Sequence, residues 1–250
     1  TGANIYGPNG SSTSVPEEIK KYNIQNGFTS NNKVSIDEIA WPTVKMGWNN
    51  EWYRWLGIFE GTDYVPRWGI RKLLPDFQNA NKGWNKIIKK YPVVIIKSCF
   101  PSSDLSEFGS VNDTADLTKK TVYNYKFIWR KMIRYFSDHP DNFFVIWTNA
   151  PLAREATTPE KALLSDSFCS WAKDTLAAGL DSELHSFPEN VYVFDFFHYL
   201  SKDGILEDKY AVSLTDSHPN KNATEIVAPL LVKEVFDAAI KYENSYKCSK

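Results

Sequence analysis

Cysteine is scarce in this 250-residue chain, and its three copies, Cys99, Cys169 and Cys248, exclude a disulfide framework. An odd count allows one bridge at most, and the sequence does not choose the pair. Metal-binding spacings are missing too, with no Cys-x-x-Cys and no His-x-x-x-His, and Asp195 with His198 is too thin for a zinc site. A glycine-rich phosphate loop and a dinucleotide fingerprint are absent, so the reading calls for no cofactor and no metal. Charge of one sign is not in excess, Lys+Arg 29 against Asp+Glu 30, which points away from nucleic acid and from an anionic membrane surface. No apolar run approaches the roughly 20 residues of a membrane helix. The chain has 12 glycines and 13 prolines, too few for a fibrous repeat, and 42% hydrophobic residues, enough for a packed core.

Aromatic residues are abundant, at 15%, with 9 Trp, 13 Tyr and 15 Phe. The length fits one domain over residues 1–250. Its parts are a loop-rich opening (1–35), a tryptophan-rich segment (36–91) and a βα core (92–250). The opening holds one short helical candidate near Pro16–Tyr22. The second part carries six of the nine tryptophans, and its run Trp48–Phe59 has no clean period, interrupted by Gly57, Gly61 and Pro66. Trp48, Trp52 and Trp55 alternate with Asn49, Asn50, Glu51 and Arg54, a mixture suited to stacking on sugar faces, although core filling is the default for aromatics.

Three short runs read as buried parallel strands because they lack alternation: Val93–Lys97, Phe143–Thr148 and Val191–Phe196. Helical patterns separate them, over Pro75–Lys90, Thr121–Ser137, Thr158 to about Ala178 with Gly179 as C-cap, and Ala223–Tyr242. Strands alternating with helices predict an α/β fold with a parallel sheet and helices on both faces. Ligands of such sheets bind beyond the carboxyl ends of the strands, so functional residues are sought there.

Just ahead of the last helix stands Leu214-Thr215-Asp216-Ser217-His218-Pro219-Asn220. A neutral imidazole can take a proton from a hydroxyl and return it to a leaving group, and a neighbouring carboxylate can hold its tautomer. His218 and Asp216 are therefore the catalytic candidates. His139 in a helix-terminating turn, His185 in a polar loop and His198 among aromatics are weaker ones. Cys99 reads as a small buried hydrophobe, and Pro101-Ser102-Ser103-Asp104 as a turn and N-cap ahead of Leu105.

Asp216-Ser217-His218-Pro219-Asn220 before a terminal helix resembles the last block of the SGNH/GDSL hydrolases, a superfamily of esterases and lipases. Val93–Pro101 resembles that family's third block, Phe144–Leu152 its fourth strand with the following proline turn, and Val191–Phe196 its fifth. The similarity spans about residues 91–240. It implies a three-layer α/β/α sandwich, an acyl-enzyme mechanism and no cofactor. The opening Thr1-Gly2-Ala3-Asn4 is similar to the tail of a His-His-Ser-Thr-Gly-x-Asn first block, which places the first strand and nucleophilic serine ahead of Thr1.

Two further departures stand out. The family's Asp-x-x-His spacing would put the acid at Thr215, which leaves Asp216 to substitute. Its oxyanion-hole Asn after the third strand is not evident, and Ser98, Gly2, Asn4 and Gly61 are the substitutes considered, with Trp52 as a substrate contact. The resemblance implies a serine esterase acting on a small-molecule or polysaccharide ester, with neither nucleic acid nor membrane as partner. The alternative is a non-catalytic glycan-binding or extracellular structural module. The sites Asn9-Gly10-Ser11, Asn112-Asp113-Thr114 and Asn222-Ala223-Thr224 are compatible with a secreted glycoprotein.

Overall fold

The computed structural model describes residues 5–7, 14–39, 51–62 and 77–248. Gly2, Asn4, Asn9, Trp48, Asn49, Asn50 and Pro66, among the residues singled out above, lie outside them. Three parallel strands, β1 (Val93–Ile96), β2 (Phe143–Trp147) and β3 (Val191–Phe194), form a sheet in the order β1-β2-β3. Val94 pairs with Phe144, and Val145 with Tyr192.

Successive side chains along a strand point to opposite faces, and here each face meets its own core. Val94, Ile96, Phe144, Ile146, Val191 and Val193 enter one cluster, and Phe143, Val145, Trp147 and Phe194 enter the other. Burial on both faces is why the runs are continuously apolar, and every residue of β2 is buried.

Helix α1 (Val15–Gln25) starts at Ser14, whose hydroxyl accepts from Glu17 N. It packs on the last helix, where Tyr22 Oη donates to Asp237 at 2.7 Å. Helices α2 (Trp52–Glu60), α3 (Phe77–Lys90), α4 (Val122–Ser137) and α5 (Pro159–Ser170) contribute to the first cluster. Thr121 and Thr158 cap α4 and α5, their hydroxyls accepting from the backbone N–H three residues on. The short α6 (Phe196–Leu200) leads to a hairpin of β4 (Ser201–Lys202) and β5 (Ile205–Leu206), and α7 (Lys221–Cys248) closes the chain.

Four expectations change. Gly57 does not break the tryptophan-rich run but lies inside α2. A Cβ there would come within 2.6 Å of Thr62 O and 2.8 Å of the Phe77 ring, so glycine permits the close approach of that ring. The helix expected from Thr158 to Ala178 is α-helical only to Ser170 and continues as one π-helical stretch, Trp171–Leu176, before Gly179 turns at φ +71°. Ser102 and Ser103 cap no helix before Leu105; they are buried in a short 3₁₀ turn, Phe100–Ser103. Cys99 is only partly buried, Cys169 is the enclosed cysteine, and none of the three forms a disulfide.

Candidate active site

The loop between β5 and α7 is a narrow hairpin-like turn. Ala211 bridges Pro219, Val212 N donates to His218 O at 2.9 Å, and Asn220 N donates to Tyr210 O at 2.8 Å. Asn220 ties both ends: its Nδ2 reaches Ala211 O at 2.8 Å, and its Oδ1 accepts from Asn222 N at 2.9 Å to start α7. The turn is fastened to the segment after β2 by two bonds. Ala153 N donates to the buried Ser217 Oγ at 2.9 Å, and Glu155 N donates to Leu214 O at 2.9 Å. A loop carrying a catalytic group needs such fixing, because backbone drift would move the imbedded side chain with it.

Within this turn the structure brings Asp216 and His218 together. Asp216 Oδ1 lies 2.6 Å from His218 Nδ1 and also accepts from His218 N at 2.9 Å. The backbone N–H and then the imidazole of His218 hold the Asp216 carboxyl below the usual carboxylate range. Both side chains are partly exposed, at 43% and 39%. A carboxylate on Nδ1 selects the tautomer with hydrogen there, which leaves the Nε2 lone pair outward. Nε2 has no hydrogen-bond partner among the described residues. The Phe100 ring, from the turn after β1, packs edge-on against the imidazole at 4.8 Å and restricts its rotation. Thr215, at the spacing where the resemblance puts the acid, instead bonds Ser213 Oγ at 3.2 Å.

The other candidates are placed differently. Ser98 is buried, with its hydroxyl against that of Ser102. Trp52 is fully buried and donates through Nε1 to Asn149 Oδ1 at 2.8 Å, and Trp55 Nε1 donates to Lys97 O at 3.1 Å. Neither ring offers a face to a sugar; each fills the core and spends its one polar atom on a buried acceptor. Gly61, with φ +66°, is the C-cap of α2 beside Asn81, and its N–H is engaged by Gly57 O. His139 Nδ1 bonds Tyr135 O at 2.8 Å, in the helix-terminating position expected of it.

Two residues at this edge, Asn149 and Ser217, were not singled out by sequence reasoning, and a third, Asp195, was weighed only with His198 as a zinc pair. Asn149 follows β2 and links Trp52 to the Ser102 carbonyl, its Nδ2 donating at 3.4 Å. Its position just after a strand was the available signal. Ser217 lay inside the motif, yet nothing in its type reveals a partner 64 residues away. Asp195, at the end of β3, holds His198 Nδ1 at 2.7 Å, and the i,i+3 spacing at a helix start was legible. Among the described residues no group of three His, Cys, Asp or Glu is arranged to hold a metal ion, and no helix is long and apolar enough to cross a membrane.

Searches of protein-family models, of curated proteins and of solved structures found no match to this chain.

Proposed function

We propose that this protein is a serine esterase of the SGNH type that hydrolyses an acyl ester through an acyl-enzyme. The observation that carries the reading is the Asp216–His218 pair, 2.6 Å apart, half-exposed, with Nε2 directed away from its carboxylate. In this reading the serine hydroxyl gives its proton to His218 Nε2 while its oxygen bonds the acyl carbon. His218 then returns the proton to the departing alcohol oxygen. Water repeats the sequence on the acyl-enzyme, and the carboxylic acid leaves. Asp216 stays ionised and stabilises the imidazolium. The resemblance puts the serine ahead of Thr1. The two cores on opposite faces of the sheet support the three-layer α/β/α arrangement that the same reading calls for.

The test uses the polypeptide extended upstream of Thr1 to its natural start, with p-nitrophenyl acetate as substrate. Wild type is expected to hydrolyse it with stoichiometric burst release of nitrophenol, and His218→Ala to lose the activity. Hydrolysis unchanged by His218→Ala, or a natural sequence with Ala or Gly directly before Thr1, overturns the reading.

A further inference from the structure

A second cluster of titratable groups lies at the end of β3, apart from the Asp216–His218 pair. His198, on α6, is 31% exposed and is gripped at both ring nitrogens. Its Nδ1 is 2.7 and 2.9 Å from the two oxygens of Asp195, which is nearly buried. Its Nε2 faces two groups on α5, Asp166 Oδ1 at 3.2 Å and Ser170 Oγ at 3.3 Å. Around them stand Lys173, from the π-helical stretch, 3.1 Å from Asp195 Oδ2, and Thr148, whose hydroxyl is 3.5 Å from Asp195 Oδ1. Behind Lys173, α7 contributes Glu234, which accepts from the hydroxyls of Tyr192 and Tyr199. The Phe197 ring packs edge-on against the imidazole at 5.3 Å.

Two acceptors and one hydroxyl compete for one imidazole, and proton counting decides which can bond. The charged ring has two N–H donors, so it can serve Asp195 and Asp166 together. The neutral ring keeps hydrogen on Nδ1, where Asp195 is closest, and presents a lone pair at Nε2. That lone pair repels the Asp166 carboxylate but accepts from the Ser170 hydroxyl. We propose that His198 is a protonation-dependent latch whose Nε2 exchanges Asp166 for Ser170 as it loses its proton. In the charged state it ties α5 to the β3–α6 junction through an ion pair. In the neutral state it releases Asp166 and aligns Ser170, His198 and Asp195 as hydroxyl, imidazole and carboxylate.

Ser170 is the last residue before the π-helical stretch, so the exchange acts where the helix changes its winding. The bond to Asp195 raises the His198 pKa above its ordinary value; burial opposes this, and the charges of Asp195 and Asp166 add to the rise. A raised folded-state pKa means that the latch contributes stability in full below the ordinary value near ~6.5. That contribution is lost as pH rises through the folded value. Asp195 is pushed up by burial and, more strongly, held down by His198 and Lys173. It stays ionised throughout the switching range.

The proposal is independent of the esterase reading, and NMR titration of the four imidazoles of the intact chain tests it. One resonance, lost in His198→Gln, is expected to titrate above the ordinary histidine value. Asp166→Asn should lower that midpoint by about 0.5 unit or more, by removing the charge that favours the imidazolium. Ser170→Ala should raise it, because only the neutral state loses a donor. In thermal unfolding, the midpoint of wild type should fall relative to His198→Gln as pH goes from 6 to 9. A His198 midpoint at or below the ordinary value, or one unmoved by both Asp166→Asn and Ser170→Ala, overturns the proposal. Those two variants carry the test even where His198→Gln does not fold.

Discussion

Arg130 grips Asp181 through both carboxylate oxygens, Nε to Oδ1 at 2.9 Å and Nη2 to Oδ2 at 2.8 Å, with both side chains buried. Asp181 also accepts from Trp171 Nε1 and from the backbone N–H groups of Glu183 and Leu184. The pair thus joins α4 to the turn that follows the π-helical stretch. Burial alone would push the Asp181 carboxyl upward, but the guanidinium and the Leu184 N–H outweigh it and hold it at about 2.

Arg130→Met leaves that carboxylate buried without its cation, and it is expected to cost about 3–5 kcal/mol in urea unfolding at pH 7. The sign of the pH dependence follows from the depressed value. The pair's stabilisation is present above the ordinary carboxylate range and is lost as pH falls through the folded value. Between pH 5 and 2.5, wild type should therefore lose stability more steeply than Asp181→Asn, which cannot titrate. Parallel slopes would show that Asp181 is not ionised by this pairing.

Asp216→Asn removes the negative charge on His218 Nδ1 and lets the amide favour the other tautomer. If the pair is the general base, ester hydrolysis by the extended chain should fall about 10²-fold or more, mostly in kcat. Stability should change little, because both side chains are well exposed. A large loss of thermal stability with unchanged kcat would make the pair structural instead.

Ser217→Ala leaves Ala153 N–H, which is buried, without an acceptor. The expected cost is about 1–3 kcal/mol, read from denaturant midpoints. Because Ser217 stands between Asp216 and His218, the same substitution should also broaden the conformations of the turn. Ser217→Thr, which keeps the hydroxyl, should restore part of both. An unchanged denaturant midpoint would show that the clamp carries no stability.

Asp203 and Gly204 turn between β4 and β5 with φ +53° and +77°. A Cβ on Gly204 would lie 2.8 Å from Ala162 O, a backbone atom of α5. Gly204→Ala therefore combines left-handed strain, about 1–2 kcal/mol, with a collision that a backbone cannot easily relieve. Thermal unfolding should show a loss at least that large, whereas Asp203→Asn should be nearly neutral because Asn tolerates positive φ.

Local signals carried much of the fold. Thr121 and Thr158-Pro159 mark their helix starts, since a cap is decided by residues within one turn of each other. The three apolar runs place β1, β2 and β3 within a residue or two, because strands buried on both faces leave no polar positions to confuse the reading. The Asp203-Gly204 hairpin was equally local, written in a turn pair between two short extended segments, although it passed unnoticed. The α5 helix was overextended because apolar spacing does not distinguish a π-helical stretch from an α-helix. Trp171, the first residue of that stretch, bonds Asp181 ten residues on, a contact that apolar spacing does not reveal.

The site divides along the same line. His218 and Asp216 are two residues apart, so the sequence alone placed an imidazole and a carboxylate in one turn ahead of the final helix. It also determined the parallel βα pattern that makes that turn worth inspecting. Only the tertiary structure decided that Asp216 is on Nδ1 while Thr215 is turned to Ser213, that Phe100 braces the ring, and that Ser217 receives Ala153 N. It alone buried Trp52 against Asn149, removing it from any solvent-facing role, and surrounded His198 with Asp195, Asp166 and Ser170. Side-chain partners far apart in the chain are chosen by the whole fold, where buried polar groups must find each other or lose their hydration uncompensated.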